Sequence, residues 1–517
     1  MGTIAAISAE WMNKSTEKWI LLAIVALHLA LTLPAAYYLN IWVDEASSLY
    51  ATEQGFWVAF QNAAAEQKQA PLYFWILSLW RSIDGSIFFA RLFSIICSVI
   101  AISLFAGLAS KVADRPRAVL LTAFFGLHPF LVWASVEIRV YSLVILLSII
   151  LLRTFLNAFW NEEERTKYAE IWFLLTVVVA LYTNYYLGFL IAGLFAALVF
   201  SGRWREVGRF ALLMTAAGVA FVPMVFQMLA ELNSKTSGFQ EVRTVTEGVR
   251  ILWHHFLTFV FPTEIFPGPE QTMASYFRLW IMRAAVLLTI VTIIWKRKNL
   301  TSLTLSFGVI TFVVGLFLLI AYLLVGGVYI HIRHASVLFV PLLLLLGSLA
   351  ADLSGVLSEA RKKALIIAGA VFVIPVFAYA YSAIYPNMTK RGDWARVAEF
   401  IESNESPNEP IVTFEAFDAL ALPYYYRGGN RILPDENYFD FGLQGPPGSP
   451  ESLVRQNNFV ISEIPAGTST LWLVVNESCI STEACRPLEN YVESNYTIDI
   501  EKEFYLVKVY RLKARSK

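Results

Sequence analysis

Charged residues are scarce in this chain of 517 residues: only 15% are Asp, Glu, Lys or Arg, whereas 57% are hydrophobic. A typical soluble domain carries about 25% charged residues. The shortage of charge therefore excludes an ordinary soluble protein of this length. With a mean hydropathy of +0.57, the composition predicts a polytopic membrane protein.

Motifs of several common enzyme classes are also missing. The cysteines and histidines lack the spacing of zinc ligands, and the chain has neither a glycine-rich phosphate loop nor a nucleophile elbow. No internal repeat is visible either. Because many transporters are built from paired repeats, this last absence disfavours transport.

Long apolar runs are present instead. A run of about 20 apolar residues is long enough to cross a bilayer. We predict about eleven spans, at residues 20–39, 87–110, 117–134, 138–158, 168–183, 184–201, 208–230, 276–295, 302–325, 335–351 and 364–383. Residues 71–83 are apolar but shorter and begin with proline, so we expect an interfacial helix there.

Basic residues are concentrated in alternate loops between these spans. They are Lys14, Lys18, Lys111, Arg115, Arg117, Arg165, Lys167, Arg203, Arg205, Arg209, Lys296, Arg297, Lys298, Arg361, Lys362 and Lys363. Cytoplasmic loops carry an excess of Lys and Arg. The pattern predicts a multi-pass protein of the plasma or inner membrane, with a cytoplasmic N-terminus and an extracytoplasmic C-terminus.

The composition changes after Pro386. We predict a transmembrane domain at residues 1–386, with external loops at 40–86 and 231–275, and a small extracytoplasmic α/β domain at 387–517. A helix is expected at 393–403, and strands at Ile411–Phe414, Leu471–Val475 and Glu503–Tyr510. The fold class is therefore an all-α membrane bundle with a C-terminal α/β domain.

The three cysteines fall into two groups. Cys97 lies within a predicted span and is expected to serve only in packing. Cys479 and Cys485 lie in the predicted external domain, where a disulfide is chemically permitted. Both could equally be free thiols.

Polar side chains cluster near the predicted external ends of the spans. The most informative are Asp44 and Glu45, which follow the first span directly. The others are Lys68, Gln69, Tyr73, His128, Glu137, Arg139, Asn184, Tyr185, Tyr186, His254, His255, His331, Arg333 and His334. Ionisable groups near membrane depth are costly and often functional.

These residue types suit a site at a membrane surface that holds a lipid phosphate as leaving group while a base prepares the nucleophile. A carboxylate can deprotonate an acceptor hydroxyl, and Arg or His can hold a phosphate through charge-assisted hydrogen bonds. Structural roles remain open at each position. Asp44 and Glu45 could mark a helix end, Glu137 and Arg139 could form an ion pair, and Arg333 could anchor a helix to lipid head groups.

Several segments resemble one family, in the same order along the chain. Residues 69–73, QAPLY, resemble the HPPLY element of GT-C-type glycosyltransferases, in their protein O-mannosyltransferase-like branch. The segment from His128-Pro129-Phe130 to Ser142 resembles the family element SPF…QEARMYS, and residues 182–186, YTNYY, resemble YTHYF. His331–His334 and Asp393-Trp394 resemble two further elements. Asp44 and Glu45 fall where this family keeps its catalytic acid.

The resemblance implies an enzyme that moves a sugar from a polyprenyl-phosphate donor to a lipid, glycan or protein hydroxyl on the non-cytoplasmic face, with inversion. By this analogy Asp44 is the base and Glu45 supports it. Arg139, and with it Lys68 or Arg333, holds the phosphate. The resemblance adds Tyr73, Glu137, Tyr141, Asn184 and His331 to the expected substrate-binding residues.

The sequence departs from the family pattern in three places, Gln69-Ala70, Ile138 and Asn184, so the sugar is not carried over. No cofactor is expected, although two adjacent acids could recruit a divalent cation. Membrane lipid is an expected partner and nucleic acid is not. The alternatives are a polyprenyl-lipid transporter or flippase and an inactive membrane scaffold.

Overall fold

The computed structural model describes residues 14–65, 70–160, 165–235, 244–262, 297–324, 331–354, 359–384, 392–413, 420–434, 450–476 and 485–515, with scattered positions between 280 and 295. The chain divides into two compact units. Unit 1 comprises Met1–Ala36, Lys68–Thr236 and Gln240–Ser382. Unit 2 comprises Tyr37–Gln67, Ser237–Phe239 and Ala383–Lys517. The segment that carries Asp44 and Glu45 therefore groups with the C-terminal residues.

Helices dominate the chain as far as residue 384. They are α1 Lys14–Tyr38, α2 Val43–Ala51, α3 Phe56–Ala65, α4 Leu72–Arg81, α5 Ile87–Val112, α6 Arg115–Gly126, α7 Pro129–Ser135, α8 Tyr141–Phe155, α9 Ala169–Thr183, α10 Leu187–Phe200, α11 Trp204–Lys235, α12 Val245–Val260, α13 Ser302–Leu324, α14 Ser336–Ser354 and α15 Glu359–Ile384. Helices α2 and α3 lie in unit 2.

Six of these helices are long and apolar enough to cross a membrane: Thr16–Tyr38, Ile87–Val112, Tyr141–Trp160, Trp204–Phe226, Ser302–Leu324 and Ser336–Leu353. The bent pair α6 and α7 raises the number to seven, and three shorter apolar helices coincide with other predicted spans. The predicted span at 276–295 lies largely outside the described residues. The membrane-bundle architecture is thus confirmed, whereas the count of eleven is not.

The predicted third span, 117–134, is broken. The chain bends by 48° between its two helices. The bend arises because Pro129 cannot donate a backbone hydrogen bond and the residue before it, His128, adopts an extended conformation (ψ 127°). Side chains from other helices satisfy the carbonyl groups exposed at the break. His28 Nδ1 lies 2.7 Å from the Gly126 oxygen, and the Tyr381 hydroxyl donates to the Leu127 oxygen.

Helix α8 lies at the centre of unit 1. It packs against α5, α9, α10 and α14. Within its most apolar stretch, 78% of the residues are buried. A helix that is apolar on every face is stable only when other elements surround it. The sequence of α8, a nearly unbroken run of Leu, Ile and Val, meets that condition.

Helices α10 and α13 approach each other closely at Gly193. A Cβ atom at this position would lie 3.1 Å from the main-chain oxygen of Ile310. Backbone atoms cannot move aside as a flexible side chain can. Glycine is therefore required here by packing between two helices.

Gly193→Leu is expected to lower the free energy of unfolding by about 1–3 kcal/mol, the usual cost of overpacking a tight interface. Thermal unfolding of the purified protein in detergent measures this change. Gly218→Leu in α11 is the matched control, because nothing lies within 4 Å of its Cβ position and both substitutions improve helix propensity equally. Equal shifts in the two variants would contradict the packing argument.

Unit 2 contains a mixed five-stranded sheet with strand order β2-β1-β3-β5-β4. The strands are β1 Ile411–Thr413, β2 Ile432–Leu433, β3 Thr470–Asn476, β4 Tyr496–Phe504 and β5 Val507–Ala514. Helices α16 Trp394–Asn404, α17 Pro450–Glu463 and α18 Arg486–Asn495 accompany it. Strands β1, β2 and β3 are parallel, and β5 pairs antiparallel with both β3 and β4. The predicted C-terminal α/β fold is confirmed.

The predicted strand Glu503–Tyr510 was wrong as a single strand, because a hairpin turn interrupts it. Leu506 has a φ of 58° between β4 and β5. This left-handed conformation usually calls for glycine or asparagine, so the sequence gives no turn signal there. The expected helix at 393–403 and the strand at Leu471–Val475 correspond to α16 and β3.

An ion pair connects β5 to the residues that precede β1. Arg511 donates to both carboxylate oxygens of Glu409, which also accepts from Trp472 Nε1 at 3.0 Å. The bond to Glu409 raises the pKa of the Arg511 guanidinium. The pair is satisfied on both sides, as a buried charge requires.

The cysteines behave differently in the two units. Cys97 in α5 is a buried free thiol, as expected for a packing residue. Cys485 takes part in a disulfide, and it precedes α18 directly. Cys479 lies outside the described residues.

Candidate functional site

The acidic pair lies in α2 of unit 2. Trp42 is extended, and Asp44 and Glu45 occupy the first turn of the helix. Carboxylates are favoured there by the exposed N–H groups and the helix dipole. Glu45 is fully buried, whereas Asp44 is partly exposed. The two acids therefore differ in burial, and Asp44 is the one with exposed surface.

The turn between α7 and α8 in unit 1 contains Glu137 and Arg139. Both are buried, with 0% and 7% of their surface exposed. The Ser94 hydroxyl of α5 donates to the Glu137 main-chain oxygen at 2.6 Å, which fixes the turn. Removing ionised groups from water costs several kcal/mol each. A charged pair is thus retained where apolar residues would be less costly.

Arg91 is a third buried charge that sequence reasoning missed. It is fully buried in α5, and its Nη1 donates to the Ala36 oxygen at 3.0 Å. It lies one turn before Ser94, the residue that bonds the Glu137 main chain. The sequence signal for a buried charge is the single arginine within the apolar segment 87–110. The length and hydrophobicity of that segment predict only a membrane span.

Aromatic contacts border the same turn. Tyr141 begins α8 and stacks on Trp133 of α7, with ring centroids 5.4 Å apart. Tyr73 in α4 is 1% exposed and contacts Phe93 of α5. The interfacial segment predicted at 71–83 forms a helix at α4.

Two other predicted site segments meet in unit 1. The Asn184 Oδ1 atom accepts from Tyr186 N at 3.0 Å, which shapes the turn between α9 and α10. Tyr186 stacks on His334, with centroids 5.8 Å apart. His334 Nδ1 in turn accepts from His331 N at 3.2 Å. The turn before α10 therefore contacts the turn before α14, where Arg333 and His331 are partly exposed.

Three other histidines are buried. His128 accepts from Phe130 N at 3.1 Å as the N-cap of α7, so its Nε2 donates to the Phe259 oxygen of α12 at 2.9 Å. His28 Nε2 lies 2.9 Å from the Ser98 hydroxyl. His255 is 6% exposed in α12. The bonds of His128 and His28 join helices. His128 lies in the turn before α7, and its two bonds fit a structural role there.

Lys68 and Gln69 lie outside the described residues. Among the residues that are described, no group of three or more His, Cys, Asp or Glu side chains could hold a metal ion. Cationic and hydroxylic side chains such as those of Arg139 and Tyr141 can bind anions, and phosphate in particular.

Unit 1 therefore offers a buried arginine before α8 and partly exposed cationic or aromatic side chains before α10 and α14. Each set directly precedes a helix, where backbone N–H groups favour an anion. Unit 2 offers a partly exposed carboxylate, that of Asp44. The chemical capacities are anion binding in the first unit and proton abstraction in the second.

In comparison with protein families, residues 68–227 match the model of the dolichyl-phosphate-mannose-protein mannosyltransferase family. Comparison with curated proteins finds no match. The family match spans the predicted substrate-binding residues from Lys68 to Asn184.

Two solved structures extend the likeness to nearly the whole chain. ArnT from Cupriavidus metallidurans, in the apo state, matches 96% of this chain and 98% of its own, at 15% identity and a TM-score of 0.56. Its complex with undecaprenyl phosphate gives a TM-score of 0.55.

The oligosaccharyltransferase of Archaeoglobus fulgidus, tethered with an acceptor peptide, also matches. The alignment covers 96% of this chain and 74% of that one, at 11% identity and a TM-score of 0.50. At such identities the structures show the fold alone. Together with the family match, they show that this chain has the architecture of the GT-C-type membrane glycosyltransferases that its sequence resembles.

Proposed function

We propose that this protein transfers a sugar from a polyprenyl-phosphate donor to a hydroxyl group of an acceptor. The acceptor is a lipid, a glycan or a protein. The reaction takes place on the non-cytoplasmic face of the plasma or inner membrane, where the charge pattern puts the C-terminal domain. The proposal specifies a donor and a reaction. The fold alone does not, because enzymes with different substrates share it.

The observation that carries the proposal is the burial of Arg139. Arg139 is a basic residue with only 7% of its surface exposed, in the turn before α8, and the acid Glu137 lies two residues away in the same turn. Arginine binds phosphate through two parallel hydrogen bonds. The ArnT structure of the same fold was solved with undecaprenyl phosphate, an anionic lipid of this class.

The proposed reaction is a single displacement. Asp44 takes the proton of the acceptor hydroxyl, and the acceptor oxygen attacks the anomeric carbon of the sugar. The bond between that carbon and the phosphate oxygen breaks, and polyprenyl phosphate leaves. Because the attack comes from the face opposite to the leaving group, the anomeric configuration is inverted.

The other expected site residues share the remaining work. Glu45, which is fully buried, supports the base from within unit 2. Arg139, with Lys68 or Arg333, stabilises the charge that develops on the departing phosphate. Tyr73, Glu137, Tyr141, Asn184 and His331 line or shape the donor site.

Proteoliposomes loaded with radiolabelled polyprenyl-phosphate sugars test the proposal. The purified protein is incubated with a panel of such donors and of lipid, glycan and peptide acceptors. We expect label to leave the lipid donor and to appear covalently on an acceptor. Movement of intact donor between leaflets, without cleavage, would favour a transporter, and binding without either result would favour a scaffold.

A further inference from the structure

The short segment between α1 and α2 is tied to the C-terminal part of unit 2 by two hydrogen bonds. Ile41 N donates to the Tyr425 hydroxyl oxygen at 2.7 Å. Ala395 N, in the first turn of α16, donates to Asn40 Oδ1 at 3.1 Å. These bonds join residues separated by more than 350 positions in sequence, and both involve residues of the same compact unit.

The Asn40 side chain accepts a hydrogen bond from the first turn of α16, whereas the residue at the N-cap position of the helix does not. Asp393 occupies the N-cap position but makes no side-chain bond to the helix backbone. Its carboxylate is paired with Arg396 instead. The first N–H groups of a helix need acceptors from outside it, and Asn40 provides one from a remote part of the chain.

Both bonds are partly buried. Asn40 is 5% exposed and Ile41 is fully buried. Breaking such a bond strands a desolvated polar group, which costs more than the bond itself contributes. The segment at residues 40 and 41 is therefore held in one position relative to α16 and Tyr425.

That position determines where α2 begins. Only Trp42 and Val43 separate the anchored residues from Asp44, and the Trp42 oxygen accepts the helical bond of Ala46 N at 2.9 Å. Ala46 and Leu49 are fully buried, which fixes the face that α2 turns inward. The first turn of α2 thus has little freedom to shift or rotate.

We propose that Asn40 and Tyr425 are positioning residues, through which the C-terminal domain holds Asp44 in its reactive geometry. This inference rests on the proposed function, since it takes Asp44 to be the base. Catalytic groups must be held to within a fraction of an ångström, and a displacement of about 1 Å can reduce the rate 10²-fold. The C-terminal domain is then part of the catalytic apparatus, beyond any role in acceptor binding.

Two substitutions break the anchors separately. Tyr425→Phe removes only the oxygen that accepts from Ile41, and Asn40→Leu removes the acceptor for Ala395. We expect each to lower kcat at least about 10-fold, with KM for the lipid donor changed less than about twofold. Hydrogen–deuterium exchange of peptides covering residues 41–52 is expected to become about fivefold faster.

The controls match these changes chemically. Tyr505→Phe removes a hydroxyl from an exposed tyrosine of the same unit and should leave both readouts unchanged. Asn40→Asp keeps an acceptor oxygen, and its negative charge suits a helix N-terminus, so it should restore kcat and slow exchange. Recovery in Asn40→Asp would not follow if position 40 acted only through packing.

The outcomes separate this inference from the proposed function. Unchanged exchange at residues 41–52 in both variants would overturn the anchoring, whatever their activity. Faster exchange with unchanged kcat would overturn the positioning role. Absence of transfer by the wild-type protein would contradict the proposed function, and the exchange measurements would then decide the anchoring alone.

Discussion

Asp44→Asn is expected to lower kcat for sugar transfer by about 10²–10⁴-fold, the usual contribution of a positioned general base. Asparagine keeps the shape of the side chain but cannot accept a proton. Donor KM should change little, because Asp44 acts on the acceptor. Initial rates with a saturating radiolabelled donor measure the effect.

Glu53→Gln is the matched control for this change. Glu53 is an exposed acid in the same unit, close behind α2, so the substitution removes the same charge without removing the base. We expect wild-type rates for it. Glu45→Gln should have a smaller effect on kcat than Asp44→Asn, because Glu45 is fully buried and supports the base without contacting the acceptor. Equal activity of Asp44→Asn and the wild type would remove Asp44 from the mechanism.

Arg139→Gln is expected to reduce kcat/KM for the donor by about 10²–10³-fold, the loss seen when one charge-stabilising donor is removed from an active site. The guanidinium offers a planar pair of N–H groups to phosphate. Arg139→Lys keeps the charge but not this geometry, so it should recover only part of the activity. Titration with polyprenyl phosphate should show weaker binding in the same order.

Loss of folding must be separated from loss of phosphate binding in this variant. Arg139→Gln leaves Glu137 buried without its cationic neighbour, a destabilising change in itself. The double variant Glu137→Gln/Arg139→Gln removes both charges and should recover thermal stability but not donor binding. Arg115→Gln, at an exposed residue paired with Glu17, should match the wild type. Recovery of donor binding in the double variant would contradict the role of Arg139.

The helical bundle could be predicted because its signals are local. Apolar runs placed most of the helices, and the division near Thr183-Asn184 corresponds to the boundary between α9 and α10. The break at His128-Pro129 was visible as a proline, yet the apolar run continued through it. Hydrophobicity reports burial in the membrane, whereas the bend depends on carbonyl partners such as His28 and Tyr381 that come from distant segments.

The candidate site was predictable in part for the same reason. The motifs placed Glu137, Arg139 and Tyr141 around one turn, where the structure has them. Arg91 was missed because its role depends on tertiary burial and not on sequence spacing. The anchoring of residues 40 and 41 joins parts of the chain with no pattern in common, so no local signal could have revealed it.

The central claim is that this protein breaks the bond between a sugar and a lipid phosphate and gives the sugar to a hydroxyl group. Mass spectrometry can count, in one reaction, the polyprenyl phosphate released and the sugar gained by the acceptor. The account predicts one-to-one amounts for the wild type, with neither product above background for Asp44→Asn in the same time. Intact donor after incubation of the wild type with every donor and acceptor, or equal product from Asp44→Asn, would contradict it.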